Sequence, residues 1–299
     1  MLKNIGIRTL TIALAMAFTL VSCNRFEGDQ TIPAYIHIDE ITLSTNYALQ
    51  GANTSNFTDA WIYINGQLQG VYELPSTFPV LKRGKHTLDV YPGIKLNGNS
   101  DTRADNAMWG SVRYEDFNFV EDSIITLTPQ ATYYETVQFK WMEDFETSYI
   151  KIDPDTAISK TAYDADEALL VGGTHYSGVV YLDTVNDYFQ FSTPELYNLP
   201  INGNYVMLEI DYKCTNNFVV GIGGYTAQDG VFETPLVYVR PTDVWKKIYI
   251  NLGPTITDNS DSQYFKVLFA GNLNTDDGNT HDEFYFDNLK VEYRIVNQY

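Results

Sequence analysis

Cysteine is almost missing from this chain: 299 residues hold only Cys23 and Cys214. Two cysteines exclude a disulfide-stapled framework, so the fold must rest on an apolar core. Histidine is as sparse. His37, His86, His175 and His281 are scattered, and each reads as a structural or exposed residue. Cations are few, 19 Lys and Arg against 38 Asp and Glu, for a formal charge of −19. Such a polyanion is repelled by phosphate backbones, which argues against nucleic acid as a partner. Beyond residue 22 no apolar run approaches the roughly 20 residues that a spanning helix needs. Catalytic signatures are missing too: there is no G-x-S-x-G elbow, no H-E-x-x-H and no Walker loop. Gly221-Ile222-Gly223-Gly224 follows a strand pattern, but no helical pattern follows it, so it is no dinucleotide loop. No local carboxylate pattern marks a glycosidase pair either. The expectation is a protein that is not an enzyme.

What is present begins with an address. Lys3 and Arg8 precede an apolar run from Thr9 to Val21, the form of a secretory signal. The run ends Leu20-Val21-Ser22-Cys23. This resembles the lipobox of bacterial lipoproteins, which implies removal of residues 1–22 and acylation of Cys23. Residues 23–30 then form a tether. Glu27 and Asp29 behind the cysteine resemble the export signal of Bacteroidota surface lipoproteins. Asp122-Ser123-Ile124, Asp155-Thr156-Ala157 and Asp183-Thr184-Val185 resemble the O-glycosylation triplet of that phylum. These resemblances imply a lipid-anchored protein of the outer membrane that faces outside.

The remainder is written in strands. Short alternating runs recur between Gly, Asn, Asp and Pro clusters, with no long helical periodicity. The expected class is all-β, two β-sandwich domains. The first spans 31–138. Ala60 to Ile64 runs into Asn65-Gly66, a hairpin signal because both turn positions need positive φ. Gln67 to Tyr72 returns. Phe78 to Leu81, His86 to Tyr91, Ser123 to Thr128 and Tyr133 to Trp141 follow. The order Ile64-Asn65-Gly66, Gly70, Pro75 and Gly84-Lys85-His86-Thr87-Leu88 resembles the PEGA domain, a small β-sandwich of surface proteins. An immunoglobulin-like sandwich reads almost the same.

The second domain spans 139–299, with nine or more short strands that suggest a jelly roll. In Val206 to Tyr212 the even positions are apolar and two odd ones acidic, which predicts one buried and one wet face. Cys214 continues the apolar face, as a buried and inert thiol. Asp144-Phe145-Glu146 near the start, Trp245-Lys246-Lys247-Ile248 in the middle and Phe286-Asp287-Asn288-Leu289 at the end resemble the galactose-binding-like jelly roll of many carbohydrate-binding modules. That resemblance implies a structural calcium between the first and last strands, held by Glu146 and Asp287 with Asp144 and Asn288 beside them. It also implies polysaccharide or oligosaccharide as the partner. Aromatic residues are plentiful, 23 Tyr, 16 Phe and four Trp, and flat rings with polar tips suit sugar surfaces. Tyr176, Tyr225 and Trp245 are the candidates. The expected function is non-catalytic glycan binding at the cell surface. The alternative is a protein-interaction or structural subunit of an outer-membrane complex.

Overall fold

The computed structural model describes residues 32–105, 108–154, 161–164, 175–201 and 203–295. The expected leader, Cys23 and the expected tether lie outside these residues. So does the Asp155-Thr156-Ala157 triplet. Among the described residues no helix is long and apolar enough to cross a membrane.

The first half folds from β1 (Ala34–Ile38), β2 (Thr42–Ser44), the short α1 (Tyr47–Gln50), β3 (Asp59–Ile64), β4 (Gln67–Glu73), β5 (Ser76–Val80), β6 (Gly84–Lys95), β7 (Arg103–Asp105), β8 (Val112–Phe119), β9 (Ile124–Leu127) and β10 (Gln130–Thr132). Its main sheet runs β4-β3-β6-β7, with β8 also on β6. A three-stranded sheet β5-β1-β9 and the pair β10-β2 complete it. Asn65 and Gly66 take φ 49° and 75°, the left-handed pair that closes the β3–β4 hairpin. Ile36, Ile62, Phe78, Leu88, Val90, Trp109 and Phe119 fill the core. Strand β8 is not legible as an alternation. Asp116 turns to φ 51° and the ladder with β6 slips between His86 and Leu88. That bulge puts Tyr114 and Phe117 out of a strict period of two.

The second half folds from β11 (Val137–Glu143), β12 (Asp153–Pro154), β13 (Thr161–Asp164), β14 (Ser177–Asp183), β15 (Tyr188–Ser192), β16 (Tyr205–Cys214), β17 (Phe218–Thr226), β18 (Gly230–Val239), β19 (Thr242–Asn251), α2 (Gly253–Asp258), β20 (Phe265–Asn272) and β21 (His281–Arg294). One sheet runs β13-β14-β21-β16-β19, with β11 on the far end of β21, and the other runs β12-β15-β20-β17-β18. Successive strands cross between these sheets, which gives the two interlocked Greek keys of a jelly roll. Phenylalanines dominate the space between them. Phe191 stacks on Phe269 at 4.7 Å, and Phe286 meets Phe191 and Phe218 edge-on at 5.2 Å. Cys214 is buried, and burial pushes its thiol up to about 11, so it stays protonated and unreactive.

One sequence expectation fails at β16. Val206, Leu208 and Ile210 face the core, but the opposite face is not wet: Glu209 and Asp211 are 0% and 2% exposed. The first half covers this end of the first sheet. Met207 and Tyr249 join its core, and the Tyr249 ring meets Trp109 edge-on at 5.1 Å. The Asn97 amide N–H donates to the Tyr249 carbonyl at 2.8 Å, and the Asn251 N–H donates to Asn97 Oδ1 at 2.8 Å.

Buried charge lies in this seam. Tyr133 donates its hydroxyl to Glu209 at 2.8 Å, and Thr54 donates to Asp211 at 2.6 Å. Lys247 Nζ is 3.1 Å from Glu209 Oε2, an ion pair by distance without hydrogen-bond angles. It is 3.5 Å from Asp211, while Lys290 Nζ donates to the Ala52 carbonyl at 2.9 Å. Burial pushes the Glu209 carboxyl up, but Lys247, Lys290 and Tyr133 outweigh it and hold it below its ordinary value. Burial, then the charge of Glu209, raises the Glu292 carboxyl well above its ordinary value.

Candidate functional site

The outward face of the second sheet is a grid set by strand register. Strand β17 presents Val219, Gly221 and Gly223 there, opposite Ala270, Leu268 and Lys266 of β20 and Tyr238, Pro235 and Glu233 of β18. Strand β15 adds Tyr188, Gln190 and Ser192. The glycines leave the middle bare, and packing demands them. A Cβ on Gly221 would stand 2.8 Å from the Thr234 carbonyl oxygen, and one on Gly223 3.0 Å from that of Phe232. The result is a furrow between side-chain walls. One groove of about 320 Å³ is lined by Gln190, Gly223, Glu233, Tyr264 and Lys266. A second, of about 400 Å³, is lined by Tyr188, Asn216, Val219, Tyr238, Ala270 and Asn272.

The walls are polar and connected. Tyr188 donates its hydroxyl to Gln190 Oε1 at 2.7 Å, and Gln190 Nε2 donates to Glu233 Oε1 at 3.4 Å across the furrow. Lys266 pairs with Asp153 at 2.8 Å. Tyr238 is 71% exposed, so one ring lies open to solvent. From β15 to β18 is three strand spacings, about 14 Å. The face offers amide, phenol, carboxylate and ammonium groups to a hydroxyl-rich ligand.

The expected site residues are dispersed. Tyr225 lies on this same file of β17, one step beyond Gly223, opposite the exposed Val231. Trp245 lies on β19 of the other sheet, 6.5 Å from the Tyr285 ring. Lys213 Nζ sits 4.7 Å over that ring, and Tyr285 donates its hydroxyl to Glu283 at 2.7 Å. Tyr176 just precedes β14, and its amide N–H donates to Glu146 Oε1 at 2.9 Å. Sequence reasoning missed Tyr188, Gln190, Glu233 and Tyr238. The available signal was Gly221 and Gly223 at a spacing of two, which bares one face of a strand.

The calcium candidates are neighbours with different tasks. Glu146 accepts the amides of His175 and Tyr176 and faces His175 Nδ1 at 3.1 Å. Asp144 accepts the Tyr47 hydroxyl at 2.8 Å. Asp287 is fully buried, and its Oδ2 has no hydrogen-bond partner. Burial, with Asp211, Asp144 and Glu146 nearby, pushes its carboxyl up to about 8. Asn288 sits at φ 46° on a bulge, with both polar side-chain atoms unbonded. Among the described residues, no three acidic, His or Cys side chains converge as ligands. Asp287 and Asn288 alone fit a cation, through their orphaned atoms, while Glu146 and Asp144 are engaged elsewhere.

No family model and no curated protein matches the chain. Similar solved structures include the CBM22-1 xylan-binding domain of Paenibacillus barcinonensis Xyn10C, at 10% identity and TM-score 0.42, over 55% of this chain and 99% of that one. A Clostridium thermocellum endo-1,4-β-D-xylanase 10B structure with CBM22-1 and GH10 modules is similar at 9% identity and TM-score 0.40, over 54% of this chain. This chain spans only 29% of that structure. A structure of carbohydrate-binding modules from the β-sandwich superfamily is similar at 10% identity and TM-score 0.37, over 78% of this chain and 84% of that one.

Proposed function

We propose that the chain is a lipid-anchored cell-surface protein that binds glycan, without catalysis, along the outward face of its second sheet. The observation that supports this is the pair of grooves on that face: one with Gly223 at its floor between Gln190, Glu233 and Lys266, the other lined by Tyr188 and the exposed Tyr238. An extended sugar chain suits a shallow groove that offers hydrogen bonds along its walls and an aromatic face at one side. The anchor rests on Cys23 within Leu20-Val21-Ser22-Cys23. Outward orientation on an outer membrane rests on the acidic residues behind it. A calcium ion at Asp287 would take up the orphaned carboxylate oxygen and stabilise the joint of first and last strands.

Affinity gels with xylan, galactan, glucan and mannan test the reading. The soluble chain from Phe26 should be retarded by at least one polymer, and Tyr238→Ala with Gln190→Ala should release it. Retardation by none would overturn it and favour a protein partner within a membrane complex.

A further inference from the structure

The first half has two ends, and the chain arrives at the one far from the seam. Ala34 pairs with Val80, Tyr35 with Ile124, and Gly84 with Phe119. These pairings gather the arriving chain at Ile32 and Pro33, the β5–β6 turn and the β8–β9 turn into one tip. Hydrogen bonds knit it: Asp122 N–H donates to Pro33 O at 3.0 Å, and Tyr35 N–H to Ser123 O at 2.8 Å. Strand β6 runs its 12 residues from this tip to the seam, about 36 Å away.

The tip is unusual in two ways. Leu81 and Ile124 are each 66% exposed, with Ile32 at 53% and Val120 at 49%. Single exposed aliphatics need no explanation, but four on one end of a small domain do. Residues 32–136 contain six cations. Lys95, Arg103 and Arg113 are paired with Glu73, Asp59 and Asp89. Lys82 and Arg83 in the tip turn and Lys85 at the start of β6 make no ion pair among the described residues. Glu121 and Asp122 flank the aliphatics, so the tip is mixed in charge.

We infer that this tip rests on the headgroup layer of the bilayer that holds the Cys23 acyl chains. The aliphatics would enter the interface, and the three long basic side chains would reach lipid phosphates. Ile32 is nine positions after Cys23, a reach of at most about 32 Å, so an acylated Cys23 keeps the tip near the lipid. The inference rests on the lipoprotein reading and is independent of glycan binding.

The test places the acylated chain in phosphatidylethanolamine–phosphatidylglycerol vesicles that contain brominated lipid. A dye at Ser123→Cys should be quenched at least threefold more than one at Asp229→Cys in the second half. Leu81→Glu with Ile124→Glu should remove that difference and leave the anchored fraction unchanged. Equal quenching at both sites, with Cys23 shown by mass spectrometry to be acylated, would overturn the tip surface and leave the anchor intact. If Cys23 is unmodified, the anchor reading falls, and flotation of that chain on the same vesicles decides. Flotation abolished by the Glu pair keeps the surface; no flotation overturns it.

Discussion

Glu209→Gln is the sharpest probe of how the two halves are joined. Glu209 is fully buried, with Lys247 at 3.1 Å, Lys290 at 3.9 Å and the Tyr133 hydroxyl at 2.8 Å. Removing its charge leaves two buried cations, Lys247 and Lys290, short of a counter-charge. Breaking one partner of a buried pair costs about 3–5 kcal/mol, a large share of a total of about 5–15 kcal/mol. Replacing the pair behaves differently, because the charges left in the seam, Lys290 and Asp211, are opposite in sign. Glu209→Gln with Lys247→Met should recover at least about 2 kcal/mol of that loss. Urea unfolding followed by tryptophan fluorescence measures both, and Trp109, packed 5.1 Å from Tyr249 at the seam, reports directly. A Glu209→Gln loss below about 1 kcal/mol would mean that water reaches the seam and that the argument from burial is wrong.

Other expectations are open to simple measurement. Glu292 has a carboxyl raised far above its unfolded value by burial, so the folded state holds its proton more tightly. Stability therefore declines as pH rises above about 4.3, by up to about 1.4 kcal/mol per unit; Glu292→Gln should flatten that slope in pH-dependent melts, and an identical slope would refute it. Calcium at a hundred times its dissociation constant should raise the melting temperature by about 5–10 °C. Asp287→Ala should abolish the rise, and a wild-type melt indifferent to chelator removes the site. Cys23→Ala should move the protein from the detergent phase to the aqueous phase; continued partitioning would sink the lipid anchor. Tyr238→Ala, at a 71% exposed position, should weaken retardation by the bound glycan by about tenfold at an unchanged melting temperature.

Much of the strand order was open to sequence reasoning because each signal is local. Asn65-Gly66 closes its hairpin through its own backbone preference, and Val206, Leu208 and Ile210 announce a core face by alternation. Strand β8 escaped because its bulge at Asp116 breaks the period. Glu209 and Asp211 misled for another reason: a carboxylate in alternation reads as wet, and only the first half of the chain packed over it makes it buried. The furrow escaped because its walls come from four strands whose order in the sheet is not their order in the chain.

The sequence by itself determined the all-β class, the excess of acidic over basic residues and the lack of a disulfide framework. Those properties belong to composition or to a few adjacent residues. Tertiary structure alone decided the buried ionic seam, the meeting of Gln190 with Glu233 and the aliphatic tip. Each depends on residues tens to hundreds of positions apart, brought together by register and by packing of one sheet face against another.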